Sequence, residues 1–182
     1  MSWTATKVWT TGYVVTAADL NTYLSDNTDY LKGKADLFDA MLGARVYDST
    51  GQSIANNSWQ NVVFDSEFFD DNSFHDVVSN TDRLTVAADG VYLVLANLKY
   101  NCDPNGIRRA RISINDSGWE VEDVCTAPNA TYTNPLQCTS ILKLSSGDYV
   151  TFQTYQNRGS ALTLDSTTDD DPQFAIFKLG VA

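Results

Sequence analysis

The hydrophobic positions of this chain follow two different periods, and the change between them falls near Met41–Arg45. Upstream, Leu20, Leu24, Asn27, Leu31, Lys34, Phe38 and Met41 are spaced alternately four and three residues apart. That spacing places them on one stripe of an α-helix and forms a heptad seam of the kind that gathers helices into a coil or bundle. Asn27 and Lys34 interrupt the seam with polar groups, which cost stability but fix register and oligomer number. The helix has a start signal in Thr16-Ala17-Ala18-Asp19. There the Thr hydroxyl can accept a free amide, and the Asp suits the positive end of the helix dipole. Gly33 is expected to fray or break the helix, so the predicted helix is short. Before it, residues 1–15 carry Trp3, Trp9, Tyr13, Val14 and Val15 with no regular period. They predict an extended aromatic arm that lies against its own domain or a partner.

From Gly43 onward apolar and polar residues alternate in short runs, the signature of half-buried strands. Ten strand candidates follow: ARVYDS, WQNVVFDSEFF, RLTVAA, GVYLVLANLKY, IRRARISIN, GWEVEDV, LQCTSILKL, DYVTFQTYQ, SALTL and QFAIFKLG. Turn chemistry separates them in STGQ, DDNS, AADG, DPNG, NDSG, SSGD and NRGS. Many short strands with no intervening helix read as a β-sandwich or jelly roll. The chain therefore divides into residues 1–43, arm and helix, and residues 44–182, a β domain. In IRRARISIN, Ala110, Ile112 and Ile114 face inward while Arg109 and Arg111 face out. In GVYLVLANLKY both faces are apolar: Val91, Leu93 and Leu95 on one, Tyr92, Val94, Ala96, Leu98 and Tyr100 on the other. A strand of this kind needs cover on both sides, and a neighbouring subunit can supply the second cover. Tyr92, Val94, Leu98 and Tyr100 are the expected contributors to that subunit interface.

Charge narrows the partners. With 12 basic and 23 acidic residues the net charge is −11, and the pI is near 4.2, which argues against nucleic acid as a direct ligand. No apolar run is long enough to insert in a membrane, and the N-terminus shows no basic region followed by an apolar core, so no signal peptide is expected. Three cysteines and one histidine are too few and too scattered for a zinc site. Cys102, Cys125 and Cys138 read as free thiols, with Cys102 and Cys125 the pair if one disulfide forms. His75 reads as an exposed loop residue without a nucleophile partner, and no phosphate loop, metalloprotease or dinucleotide motif occurs, so no enzyme is expected. No cofactor is expected, with one exception to test. Asp165, Asp169, Asp170 and Asp171, or Asp65, Glu67, Asp70 and Asp71, supply hard oxygen ligands that could hold calcium; neither stretch has EF-hand spacing.

Two resemblances follow from these residues. The segments DRLTVAADGVYLVLANLKY, LKLSSGDYVTFQTYQ and FAIFKLG resemble, in order, three strand signatures of the tumour-necrosis-factor and complement-globular-head superfamily. The match spans roughly residues 44–180, with Ala175–Ile176 replacing the usual small-Gly step. It implies a ten-stranded jelly roll that assembles as a compact homotrimer. The N-terminal pattern formed by Trp9, Gly12, Thr16, Ala17, Ala18, Asp19, Leu20, Asn21, Leu24, Asp26, Asn27 and Leu31 resembles the opening segment of many tailed-bacteriophage virion proteins.

Together the resemblances imply a structural virion protein assembled in the host cytoplasm. It would be a trimeric decoration, cement or head-fibre protein on the capsid exterior, with a projecting jelly-roll knob. Trp3, Trp9, Tyr13, Val14 and Val15 would contact the major capsid protein or another virion protein. Leu20, Leu24, Asn27 and Leu31 would form the trimer seam. The alternative is a tail-fibre or baseplate protein whose knob recognises a host surface glycan or protein, for which Trp119 and Tyr132 are the loop aromatics to inspect.

Overall fold

The computed structural model describes residues 5, 7–39, 42–127, 131–167 and 171–180. The chain forms two compact units, Met1–Met41 and Leu42–Ala182. In the first, the Thr16 hydroxyl accepts from the Asp19 amide at 3.2 Å and the Asp19 carboxylate accepts from the Thr16 amide at 3.0 Å. This reciprocal cap satisfies two amides that a helix start leaves without partners. Helix α1 (Ala17–Leu20) passes through a five-residue π-turn, Asn21–Ser25, into α2 (Asp26–Asp39). Gly33 does not stop the helix: one glycine costs about 1 kcal/mol in a helix interior, less than an established run of helix bonds contributes. Trp3 and Met41 lie outside the described residues, as do the side chains of Lys34 and Phe38.

The arm does not run free of the helix as an extended segment. A turn closed by the Tyr13 amide on the Thr10 carbonyl, with Gly12 at φ 82°, folds it back. The Lys7 ammonium donates to Asp19 Oδ1 at 2.7 Å and to the Tyr13 hydroxyl at 2.6 Å. It sits 4.1 Å from the Tyr13 ring centre and 4.8 Å from that of Trp9, where the ring quadrupoles attract a cation. The hydrogen bond from Lys7, then those from Thr16, hold the Asp19 carboxyl well below its usual range. Its bonds to Asp19 and Tyr13 push Lys7 up to about 12.

In the second unit the described residues form twelve strands: β1 Gly43–Tyr47, β2 Ser53–Ile54, β3 Gln60–Asn61, β4 Ser66–Asp70, β5 Arg83–Thr85, β6 Gly90–Leu98, β7 Ile107–Ile114, β8 Val121–Thr126, β9 Leu136–Leu144, β10 Tyr149–Gln156, β11 Leu162–Thr163 and β12 Gln173–Gly180. Two five-stranded antiparallel sheets face each other. One has the order β4-β1-β12-β6-β9; the other has β3-β10-β7-β8, with β5 also paired to β10. The short strands β2 and β11 form a separate ribbon. The segment WQNVVFDSEFF, expected as one strand, is two. β3 belongs to the second sheet and β4 to the first, and the crossing between them buries Val62 and Phe64 completely.

The core lies between the sheets. Phe174 of β12 stacks on Phe152 of β10 at 5.9 Å and on Phe64 at 5.6 Å, with planes 26° and 25° apart. Val94, Ile112 and Ile176 are also fully buried. Gln156, fully buried, donates to the carbonyls of Ile54 and Ser160 and accepts from the Arg158 amide. That removes the penalty of an unpaired buried amide. His75, expected to be exposed, is buried, with Nδ1 3.0 Å from Glu67 and Nε2 3.2 Å from the Thr81 carbonyl. The three cysteines are free thiols; Cys138 is buried, Cys125 half-buried and Cys102 exposed.

Two outcomes test this arrangement. Phe174→Ala removes the middle ring of the inter-sheet stack and should destabilise the chain by about 3–5 kcal/mol, read from the midpoint of a urea unfolding curve. Asp19 has a folded value below its unfolded one, so its contribution is complete above the ordinary 3.8 and fades as pH falls through the lowered value. The helical circular-dichroism signal of the whole chain should therefore be constant from neutral pH down to about 4 and fall only below that. Asp19→Asn should lower the signal at neutral pH and remove that acid limb.

Candidate functional site

Apolar side chains turned to the surface include an exposed row in the N-terminal unit and, in the β unit, a largely half-buried sheet face flanked by exposed Phe69 and Ile141. In the N-terminal unit Val14 is 80 % exposed, Leu24 60 % and Leu31 56 %, with Val15 and Leu20 also exposed. Trp9, Val15, Leu20, Tyr23 and Leu24 line an open groove of about 350 Å³ with Lys7 at its edge. Trp9 and Tyr13 are less open than the aliphatic residues because they pack on each other and around Lys7. Asn27 differs from its seam neighbours: it is buried, and its side-chain amide donates to the Tyr23 carbonyl at 3.3 Å. The π-turn widens the helix between Leu20 and Asp26, so the leucines before and after it do not keep the straight phase of a heptad seam.

In the β unit, the residues expected at a subunit interface are on the wrong face of β6. Tyr92, Val94, Leu98 and Tyr100 are at most 3 % exposed and fill the chain's own core. The Tyr92 hydroxyl donates to the Ala88 carbonyl, the Tyr100 hydroxyl shares a bond with Thr154, and burial pushes the Tyr100 phenol up. The physical reason is the alternation itself: the sandwich takes the face with more bulk and leaves Val91, Leu93 and Leu95 outward. Register then assembles an outward row across four strands, Gly43, Phe177, Leu93 and Ile141, and a second of Arg45, Ala175, Leu95 and Thr139. Phe69 of β4 extends the patch, 5.9 Å from Phe177. Gly43 is required here, because a Cβ would lie 2.6 Å from the Phe177 ring and 2.8 Å from the Ile176 carbonyl oxygen. The next row, Tyr47, Gln173, Asn97 and Gln137, is polar, so the sheet is apolar towards one end and amide-rich towards the other.

No metal centre emerges among the described residues. No group of three or more His, Cys, Asp or Glu side chains converges on a point. Of the acidic residues considered for calcium, Asp65 accepts from Ser49, Asp70 from the amides of Asn72, Phe74 and His75, and Asp165 from Thr167, while Glu67 lies against His75. Asp169 and Asp170 lie outside the described residues. Trp119 and Tyr132 are 57 % and 69 % exposed.

No protein-family model and no curated protein matches the sequence. Among solved structures the β unit is similar to the globular domain of zebrafish complement 1qA protein, with a TM-score of 0.59 at 15 % identity, covering 78 % of this chain and 99 % of that one. Murine APRIL gives a TM-score of 0.59 at 13 % identity over 76 % of this chain and 99 % of its own. Eiger TNF from S. frugiperda gives 0.55 at 16 % identity over 78 % and 94 %. At these identities the likeness concerns the fold: the β unit is a mainly β sandwich of the tumour-necrosis-factor and complement-head type.

Proposed function

We propose that this chain is a non-enzymatic structural protein of a tailed-phage virion, a homotrimer on the capsid exterior that acts as a decoration, cement or head-fibre protein. Its heads associate through the outward face of the β4-β1-β12-β6-β9 sheet, and its N-terminal unit docks on the major capsid protein. The observation that carries the reading is the row of exposed apolar side chains in the N-terminal unit, joined by the outward apolar sheet face around Leu93, Phe177 and Ile141 in the β unit. Burying such patches is the main favourable term in association. Three linked N-terminal units would bind with an avidity that one unit lacks. The virion placement is supported by the sequence pattern from Trp9 to Leu31. The exposure of Trp119 and Tyr132 favours, as a second reading, a tail-fibre or baseplate position with a receptor on the host surface.

Sedimentation equilibrium should return three times the chain mass of 20.1 kDa. Leu93→Glu with Leu95→Glu should return the monomer with the folded spectrum retained. A monomeric wild type would sink the association face. Co-sedimentation with undecorated capsids should be strong for the wild type and at least about tenfold weaker for Val14→Ser with Leu24→Ser. Pelleting with host cells instead of capsids would move the protein to the tail.

A further inference from the structure

The outward face of the second sheet carries chemistry unlike that of the first. Register aligns Asn61, Gln153, Arg111 and Glu122 in one row across β3, β10, β7 and β8, with Tyr155 and Arg109 in the next. Trp59, just before β3, lies 5.6 Å from the Tyr155 ring. The Arg111 guanidinium stacks 3.9 Å from the ring centre of Trp59 and 5.4 Å from that of Trp119. Arg109 lies 5.2 Å from Trp59 and is ion-paired with Glu122. Arg111 differs from its neighbour in one respect. Its Nε donates to Gln153 Oε1 at 2.7 Å, and no carboxylate lies within ion-pair distance of it among the described residues.

The support beneath is rigid. Gln153 is buried and donates to Asn61 at 2.9 Å and to Asp116 at 3.3 Å. Asp116 also accepts from the Thr151 hydroxyl at 2.9 Å. It sits in the tight turn that joins β7 to β8, where Asn115 and Asp116 have φ of 51° and 52° and the Ser117 amide bonds the Ile114 carbonyl. That turn type matches the twist of a hairpin, and it delivers Trp119 to the edge of the face with one side open.

We propose that this face is a carbohydrate-binding site for a carboxylate-bearing pyranose, which stacks its C–H face on Trp119 and places its carboxylate on Arg111. The C–H edge of a sugar ring is weakly positive and apolar, and the face of an indole is apolar and negative. A planar guanidinium grips a carboxylate through two parallel N–H bonds. Gln153 and Asn61, bonded to one another, hold the guanidinium in place from below. Because the Arg and Trp groups are already stacked on one another, binding orders few rotamers, which favours a weakly binding class of ligand. Single-stranded nucleic acid also stacks on aromatics beside arginine, but a chain at −11 repels a polyanion in proportion to its many charges and a single carboxylate far less. The proposal deepens the receptor reading of the head and is independent of where the N-terminal unit docks.

The intact protein is titrated with sialyllactose and with a glucuronate-bearing hyaluronan fragment, lactose serving as the neutral control and a short single-stranded RNA as the polyanion control. Tryptophan fluorescence and ligand-observed NMR report binding. The expected result is saturable binding of at least one acidic sugar, weakened about tenfold by Trp119→Ala and largely restored by Trp119→Phe. Arg111→Gln should reduce that sugar to the level of lactose, with spectrum and oligomeric mass unchanged in every variant. No response to either acidic sugar, equal affinity for lactose, or a preference for the RNA would overturn the proposal. Acidic-sugar binding that survives both Trp119→Ala and Arg111→Gln would also overturn it, while leaving the receptor reading of the head standing.

Discussion

Phe64, Phe174 and Phe152 form one run of stacked rings through the middle of the sandwich, and the orientation of the outward side chains depends on it. Phe174 belongs to the first sheet and Phe152 to the second, while Phe64 lies on the segment that crosses between them. With these rings inside, the phase of β12 and of β10 is set. A slip of one residue would bring Ala175 and Phe177 inward in place of Phe174 and Ile176, exposing two residues that the core now buries completely. The inter-sheet contact therefore selects the register, and the register selects what the molecule shows its partners.

What it shows differs between the sheets, although both obey the same alternation. In the first sheet the outward positions of β6 and β12 are aliphatic and aromatic, and cross-strand pairing adds them into a continuous patch around Leu93 and Phe177. A patch of that kind is suited to another protein surface, which can cover it fully and exclude water. On the second sheet the outward positions are arginines, amides and aromatic rings that already make contacts with one another. Those groups keep polar atoms at the surface, so complete burial against an apolar partner would leave them unsatisfied. A ligand that offers both an apolar face and hydrogen-bonding groups avoids that penalty. The proposed division of labour between self-association and ligand binding rests on this contrast in chemistry.

Most of the longer strands were legible because they satisfy a period of two over a length that a strand fits, whereas the two-residue β2 lies in no predicted strand. The inward set Ala110 and Ile112 and the outward pair Arg109 and Arg111 stand where the alternation puts them. The outward face of β6 was not legible, since both of its faces are apolar and alternation cannot say which one the same chain covers. Only the packing of Tyr92 and Val94 against the opposite sheet decides it. The crossing at Val62–Phe64 was hidden for a similar reason: WQNVVFDSEFF reads as one strand, and no local signal marks the point where the chain changes sheets. The Trp59–Arg111 stack lay further still from view. Its members come from segments about fifty residues apart, and they meet only because β10 stands between β3 and β7 in the strand order.

The N-terminal unit shows why aromatic content alone is a poor guide to a docking surface. Trp9 and Tyr13 stand out by composition, yet both are partly engaged by Lys7, and that lysine is tied in turn to the helix cap at Asp19. A partner that used the faces turned to Lys7 would have to displace a cation held by two hydrogen bonds and three rings. Val14, Leu24 and Leu31 have no such commitments and are more exposed. Covering them displaces only water, and the hydrophobic gain then opposes no lost interaction. The clasp also fixes the turn that carries Val14 and Val15 against the first turn of the helix, so these residues are ordered before any partner arrives and binding costs less conformational entropy. On this argument the aromatic residues shape the docking surface and the aliphatic residues beside them form it.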